Sequence, residues 1–408
     1  MLSYVERVEA ALNDLKLGKM VILTDHPDRE NEGDFIMPAE TITADSMNFI
    51  IRHSSGIVCL PLLESQIKKL NLSYMISPDE NTSLCKTPFT MSIDAKQGIS
   101  TGVSAIDRVK TIQAAIHPHA SSEDIVKPGH IFPLYARAGG VLERAGHTEG
   151  AIDLARLAGF QSAAVLCEVM NPDGTMARGE TLQAFAQMHQ LKILSIEDII
   201  HYRLLKENLI EEEVSTFLPI QTYGEFKITA IKEKITGLEH IVLEKERKNS
   251  DKSTLVRIHS ACFTGDLLGS LRCDCHQQLH DALEKISHSG GILIYLNQEG
   301  RGIGLLNKIK TYRLQEQGFD TVEANQQLGL PVDAREYYIA AAILKNRHVN
   351  HIRLLTNNPA KIAGLNKYGM TNIVIESSPV SCNQHNQRYL QTKVQKLNHL
   401  IQELLHVG

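Results

Sequence analysis

The stretch Met20-Val21-Ile22-Leu23-Thr24-Asp25-His26-Pro27-Asp28-Arg29-Glu30-Asn31-Glu32-Gly33-Asp34 decides how the first half of the chain is read. A short apolar run bounded by a polar, glycine-containing segment is a buried strand feeding a loop. Asp28, Glu30, Glu32 and Asp34 stand at alternate positions, so an extended backbone there places all four carboxylates on one side. The cluster reads either as a solvated acidic loop or as a seat for a hard divalent cation such as Mg2+. Arg29 beside it is a partner for a phosphate or carboxylate.

The same alternation of short apolar runs and helical periods continues outward. Gly56–Leu60 and Ser162–Glu168 read as strands, and Ala151–Leu157 and Glu180–His189 as helices. Further on, Leu255–Ile258, Ile292–Leu296 and Ile352–Leu355 read as strands, with Gln277–Ser287 and Ala334–Lys345 helical. The class is mixed α-β (α+β), with two domains expected, each a mixed sheet packed with helices. The 408 residues suit two domains. A helix-like stretch ends near residue 205, the acidic run Glu211-Glu212-Glu213 follows, and a new strand begins near Phe217–Ile220. The expected domains are therefore 1–205 and 206–408.

Charge and composition narrow the function. Lys+Arg total 42 against 47 Asp+Glu, a net charge of −5, which disfavours nucleic-acid or anionic-membrane binding. No apolar run approaches the length of a membrane span. The N-terminus reads as a helix opened by a Ser3/Glu6 capping box and closed near Gly18, not as a signal peptide. Seven cysteines, an odd number in a long chain, point to a reducing, cytoplasmic setting.

Other segments of the first half carry chemistry. Pro128-Gly129-His130 reads as a turn presenting a histidine. Arg144-Ala145-Gly146-His147-Thr148-Glu149 precedes a helix that Thr148 is placed to cap, with an N-terminus that favours an anion. Glu168 closes the run Ala163–Cys167, either as an acid–base group or as a paired structural glutamate.

These residues resemble 3,4-dihydroxy-2-butanone 4-phosphate synthase. The likeness is carried by residues 28–34, Arg-His-Ser-Ser-Gly-Ile-Val-Cys at 52–59, Ser-Thr-Gly-Val-Ser-Ala-Ile-Asp-Arg at 100–108, Pro-Gly-His-Ile-Phe-Pro-Leu at 128–134, Gly-His-Thr-Glu at 146–149 and Asp-Gly-Thr-Met-Ala-Arg at 173–178. The resemblance implies rearrangement of ribulose 5-phosphate with loss of formate. It implies Mg2+ or Mn2+ on Glu30 and His147, and substrate binding by Arg29, Glu30, Asp34, Arg144, Gly146, His147 and Thr148. His130 and Glu168 would move protons, in a homodimer.

The second half offers Cys262, Cys273 and Cys275. Three thiolates without a fourth regular ligand read as an open zinc site; the alternatives are small buried residues, or a structural site closed by His259 or His276. Gln298-Glu299-Gly300-Arg301-Gly302-Ile303-Gly304 follows a strand and reads as a phosphate-approaching loop or a plain tight turn. Asn358 and Pro359 read as N-cap and first helical residue, beside Thr356 and Lys361. Asp333 and Arg335 stand at an expected helix start, where an ion pair is the simple reading.

Together with Arg-Ile-His-Ser at 257–260, Phe-Thr-Gly-Asp at 263–266, Ser-Leu-Arg-Cys-Asp-Cys at 270–275, Asp-Thr-Val-Glu-Ala-Asn at 320–325 and Leu-Thr-Asn-Asn-Pro-Ala-Lys at 355–361, these segments resemble GTP cyclohydrolase II. The resemblance implies Zn2+ on the three cysteines, with Mg2+ accompanying GTP. GTP binding would fall to Arg257, Ile258, His259, Ser260, Gln278, Glu299, Gly300, Arg301, Thr321, Thr356 and Lys361. Asp333 would accept a proton, Arg335 would attack phosphorus and Tyr312 would orient them. The chain departs from the two families' usual patterns at His26, Pro27, Lys86, Ala261 and Asn297. Two other readings use the same residues: a single working half with the other dimerising or regulatory, or a non-catalytic zinc- and nucleotide-binding regulator.

Overall fold

Ser3 opens the first helix, α1 (Tyr4–Lys16): its hydroxyl accepts from Glu6 N, and the Glu6 carboxylate takes the N–H of Ser3. Val8, Ala11, Leu12 and Leu15 form its buried stripe, and the helix stops ahead of Gly18 at φ +74°. The computed structural model describes residues 3–246 and 253–400, and the chain divides at Lys206/Glu207 into two units.

The first unit is built on a seven-stranded sheet, ordered β4-β5-β3-β6-β2-β1-β7. Its strands are β1 (Val21–Thr24), β2 (Gly33–Pro38), β3 (Cys59–Leu63), β4 (Ile93–Ala95), β5 (Ile125–Ala136), β6 (Ala164–Glu168) and β7 (Ile193–Ser195). The remaining helices are α2 (Ala44–His53), α3 (Glu64–Lys69), α4 (Ala105–Ile116), α5 (His147–Leu157), α6 (Gly179–His189) and α7 (Ile196–Lys206). The sheet is mixed: β3–β5 and β1–β7 are parallel, and the other pairs antiparallel. Met47, Ile50, Ile112 and Leu182 from α2, α4 and α6 pack on one face. Val8, Leu15, Ala151, Leu154 and Ile199 from α1, α5 and α7 pack on the other. Both faces are covered, so strands such as β2 are buried throughout and carry no alternation.

The second unit has a seven-stranded sheet ordered β14-β13-β11-β12-β10-β9-β8. Its strands are β8 (Ile210–Ile220), β9 (Gly224–Glu233), β10 (Glu239–Lys245), β11 (Thr254–Ser260), β12 (Gly291–Leu296), β13 (His351–Leu355) and β14 (Asn372–Glu376). The helices are α8 (Cys275–Ser289), α9 (Leu305–Glu316), α10 (Thr321–Gln327), α11 (Tyr338–Asn346), α12 (Pro359–Lys367) and α13 (Gln387–Leu397). Strands β11 to β14 are parallel, and β8, β9 and β10 continue as an antiparallel meander. Each unit is thus a mixed sheet packed with helices. No helix among the described residues is long and apolar enough to cross a membrane.

Four local expectations change. The strand expected at Gly56–Leu60 begins only at Cys59, because Gly56 turns the chain at φ +79° and gives its carbonyl to Arg108. Pro128-Gly129-His130 is not a turn but part of β5, with a cis Lys127–Pro128 bond. The acidic run Glu211–Glu213 lies inside β8, an edge strand whose exposed charges discourage pairing with another chain. The helix expected over Ala334–Lys345 begins at Tyr338, because Ala334 N bonds Arg301 O at 3.0 Å and Arg335 folds back on Asp333.

Candidate active sites

Strand register assembles the first site. Cys59 on β3 aligns with Phe132 on β5 and with Leu166 on β6, while Asp34 on β2 lies opposite Glu168. His130 and Glu168 each lie two residues beyond those partners at the same end of the sheet. His130, Glu168 and Asp34 therefore share one level and one face, the face on which α5 packs. Helix α5 begins at this end with His147.

The acidic loop is a turn and not an extended row. Asp25, fully buried, accepts from the N–H groups of Glu30 and Glu32 and from Arg29 Nη1, each at 2.9 Å. Asn31 at φ +54° completes the bend. Asp28 points to solvent beside His26, and Glu32 pairs with Arg178. Only Glu30 and Asp34 of the four carboxylates reach His147, whose Nδ1 lies 3.4 Å from Glu30 and 3.8 Å from Asp34. The hydrogen bond from His147 outweighs burial and, with Arg29, lowers Glu30 to about 2. Burial raises Asp34 to about 7. Burial pulls His147 down, but Asp34, Glu30 and Asp25 overcome it and lift it to about 9.

His147 Nε2 and Asp34 Oδ1 are buried with no hydrogen-bond partner, and Asp25, Glu30 and His147 offer ligand atoms within 4.8 Å of one another. Carboxylate oxygens with one imidazole suit Mg2+ or Mn2+. Gly146, not Thr148, is the N-cap of α5, and Thr148 lies buried in its first turn. A Cβ on Gly146 would meet Arg144 Nη1 at 2.5 Å. Arg144 is clamped by Glu149 at 2.6 Å and by the carbonyl of Cys85 at 3.1 Å. Lys86, next to Cys85, holds φ +48°, a conformation glycine adopts without strain.

His130 is fixed by a residue the motif reading passed over. Asp94 on β4 faces His130 Nδ1 at 2.7 Å and accepts its N–H at 3.0 Å. Asp94 thereby sets the orientation and tautomer of the ring. Glu168 accepts from Ser55 Oγ at 2.5 Å.

The second site follows the carboxyl ends of parallel strands. Ser260 aligns with Leu296, and Leu355 with Glu376, so β11, β12, β13 and β14 all end at one edge. From β11 the chain crosses to β12 on one side and then returns to β13 on the other, the reversal where open α/β sheets bind ligands. Cys262, Cys273 and Cys275 gather there within 4.8 Å, and the Cys262–Cys273 Sγ separation is 3.7 Å. Thiolates at zinc distance stand about 3.8 Å apart on a tetrahedron. A Cβ on Gly265 would crowd all three side chains at 2.9–3.0 Å. Neither histidine closes the site: His259 pairs with Asp266 at 3.0 Å, and His276 packs on His280. The donor set fits an open zinc centre.

From the thiols a cavity runs past Gly300, Arg301, Tyr312 and Thr321. It shares Ser260, Arg301 and Arg335 with a second chamber lined by Arg257, Gln278, Thr356 and Lys361. Arg257 Nη2 donates to Gln278 at 2.6 Å, and its Nε is buried without a partner. Lys361 is buried, donates to the carbonyl of Ile258 at 2.6 Å and is pushed well below the ordinary lysine range by burial and neighbouring cations. Asn358 caps α12 with Pro359 in its first turn. Arg335 Nε meets Asp333 Oδ1 at 2.8 Å, and Nη2 meets Oδ2.

The side chains of two expected binding residues do not line the cavity. The side chain of Ile258 is fully buried, because β11 is a central strand covered on both faces, and its carbonyl accepts from Lys361. Glu299 does not line the cavity. Its carboxylate braces the loop by accepting from Phe263 N at 2.6 Å, Lys308 Nζ at 2.8 Å and Gly300 N at 2.9 Å. Asn297 gives its N–H to His240, and Ala261 lies in the cavity wall.

Residues 9–202 match the family model for 3,4-dihydroxy-2-butanone 4-phosphate synthase, and residues 211–377 that for GTP cyclohydrolase II. Riboflavin biosynthesis protein RibBA of Aquifex aeolicus is 50% identical over 399 residues, covering 96% of this chain and 97% of that protein. RibBA of Bacillus cereus (strain AH187) is 50% identical over 398 residues, covering 97% and 99%. Among solved structures, RibBX from A. baumannii, described as a two-domain 3,4-dihydroxy-2-butanone 4-phosphate synthase, is 35% identical. It has a TM-score of 0.65 and covers 91% of this chain and 99% of that one.

Proposed function

The chain belongs to the RibBA family of riboflavin biosynthesis proteins, and on that premise we propose how its residues divide the work. It is a bifunctional enzyme with a synthase activity on ribulose 5-phosphate and a GTP cyclohydrolase II activity, each releasing formate.

In the first unit, Glu30 and His147 would hold the divalent ion, Mg2+ or Mn2+, which polarises the sugar's carbonyl and hydroxyl oxygens when bound. Arg29, Arg144 and the N-terminus of α5, with Gly146 and Thr148, form the anion-binding end of the substrate site. His130, oriented by Asp94, and Glu168, oriented by Ser55, move protons on the carbon chain between them. They are separated by β3, roughly 10 Å at ordinary strand spacing, so each serves a different part of the sugar. Asp34, facing Glu168, binds a hydroxyl. The single observation that carries this reading is the common level of Asp34, Glu168 and His130 at the end where α5 starts.

In the second unit, the three thiolates would hold zinc, which lowers the pKa of a bound water for attack on the purine ring. Arg257, Arg301, Arg335 and Lys361 receive the triphosphate, which Mg2+ accompanies. Asp333 keeps Arg335 charged and aimed. An arginine nucleophile would first have to lose its proton to a carboxylate already occupied by three N–H groups of the same residue, so the geometry favours a cationic role at the phosphorus. Tyr312 lies over Arg272 at 5.0 Å and shares a hydrogen bond with Thr264.

The seven cysteines are unpaired, which supports a reducing, cytoplasmic setting. Exposed Ile57, Val103 and Ile106 near Arg108 support a homodimer that covers this rim. Formate release tests the whole reading. Zinc-replete protein with Mg2+ should give formate from ribulose 5-phosphate and, separately, from GTP. Formate from one substrate alone would leave one working half.

A further inference from the structure

The family match in the second unit stops at residue 377, yet the cavity wall continues beyond it. Tyr389, Lys393 and His399, from α13 and the residue pair after it, line the same chamber as Arg257, Thr356 and Lys361. Five basic side chains line this chamber, Arg257, Arg301, Arg335, Lys361 and Lys393, and no carboxylate does among the described residues; Arg335 and Lys393 are paired behind it with Asp333 and Asp274, while Arg257 Nε and Arg301 Nη1 are buried without a partner. Such a concentration of positive charge calls for a polyanion.

Helix α13 is attached by specific bonds. Lys393 Nζ donates to Asp274 Oδ1 at 2.6 Å, with both side chains buried. Asp274 stands between the thiols of Cys273 and Cys275 in sequence, and its second oxygen accepts from Gln278 Nε2 at 2.6 Å. Gln278 in turn accepts from Arg257. One chain of hydrogen bonds therefore runs from α13 through the thiol loop to the cationic end. The ring of Tyr389 lies 4.6 Å from Lys393 Nζ and 5.7 Å from the Arg301 guanidinium, whose Nη1 is buried without a partner. Outside the cavity, Lys396 pairs with Asp320 and Glu323, and Leu400 N bonds Asn357 O at 2.8 Å.

We infer that α13 is part of the nucleotide site, and that Lys393 is a positioning residue for the triphosphate, with Tyr389 holding Arg301 in place. The inference rests on the GTP reading above. Lys393 neutralises Asp274, a carboxylate that would otherwise repel the phosphates, and has further N–H donors at the chamber wall. The two effects act on the phosphate end and not on the purine.

The test is calorimetric binding of inorganic diphosphate and of guanosine to the full, zinc-replete chain, with KM and kcat for GTP alongside. Lys393→Met should weaken diphosphate and raise the GTP KM at least about tenfold. Guanosine affinity, zinc content and formate from ribulose 5-phosphate should stay unchanged, and Lys393→Arg should recover most of the loss. Tyr389→Leu, which leaves no buried charge unpaired, should weaken diphosphate about threefold or more, and serves if Lys393→Met does not fold. Wild-type diphosphate binding in the variants, or equal losses for guanosine and diphosphate, would overturn the inference. If the wild-type chain binds diphosphate in a Lys393-dependent way but makes no formate from GTP, the cyclohydrolase reading falls and the binding role stands.

Discussion

The ammonium of Lys308 lies 3.0 Å from Cys262 Sγ and 2.8 Å from Glu299 Oε1, buried in the wall of the thiol cavity. The neighbouring thiols and the Lys308 ammonium favour the thiolate form of Cys262. Three thiolates around a divalent ion leave a net negative charge, which this ammonium balances. Lys308→Met is expected to lower zinc retention against a chelator about 10- to 100-fold and to cut formate release from GTP comparably. Formate from ribulose 5-phosphate should not change. Zinc content by metal analysis checks the first effect, and Lys308→Arg should restore it in part.

Asp94→Asn removes the carboxylate that faces His130 Nδ1. The asparagine retains the shape but not the charge that selects one imidazole tautomer. The expected result is a fall of about 10²-fold or more in kcat with ribulose 5-phosphate, little change in KM, and normal GTP turnover. Gly102→Ala should act on the same pair, because a Cβ there would stand 2.2 Å from Asp94 Oδ2 and 2.7 Å from His130 Nδ1.

Gly129→Ala tests the close crossing of β4 and β5. An added Cβ would lie 2.0 Å from the carbonyl carbon of Ile93, and backbone has no rotamer with which to yield. Urea unfolding should show a loss of at least about 2 kcal/mol. Synthase activity should fall with it, since Asp94 adjoins the clash.

Arg7 on α1 bonds Asp198 on α7 through Nε at 3.0 Å and through Nη2. Burial raises the Asp198 carboxyl, but Arg7 and the Ser195 N–H outweigh it, and the net shift is downward. A lowered folded pKa contributes stability above the unfolded value, near 4, and that stability is lost as pH falls below it. Arg7→Met should therefore be less stable than wild type by about 1 kcal/mol at pH 7, discounted because Arg7 is partly exposed. The gap should narrow as pH falls below about 4, where the carboxylate begins to take up its proton. A gap of constant size across that range would show that the pair contributes through packing alone.

Some of the metal or acid–base residues expected in the sequence are close neighbours along the chain, whereas His130, His147, Glu168 and Cys262 reach their centres through sheet register and packing. Cys273 and Cys275, Glu30 and Asp34, and Asp333 and Arg335 lie within a few residues of one another, so short-range chemistry is visible in a string. The partners that orient them are not. Asp25 is five residues from Glu30, but its role depends on a turn closing around it. Asp94 is 36 residues from His130, Lys308 is 46 from Cys262, and Lys393 is 119 from Asp274. Asp94, Lys308 and Lys393 share no motif with these partners, and each of those pairings is made by sheet register or helix packing.

By itself the sequence determined the class, the division near residue 206 and the α1 and α12 caps, because propensity, periodicity and clustered polar residues act over a few positions, and its motifs carried the resemblance to the two families. Only the tertiary structure showed that the Ile258 carbonyl accepts from Lys361, that the Glu299 carboxylate braces its loop, that the acidic run is an edge strand, and that Asp333 and Arg335 precede their helix. Each of those outcomes depends on which group lies across the gap, and that is set by strands and helices brought together from distant parts of the chain.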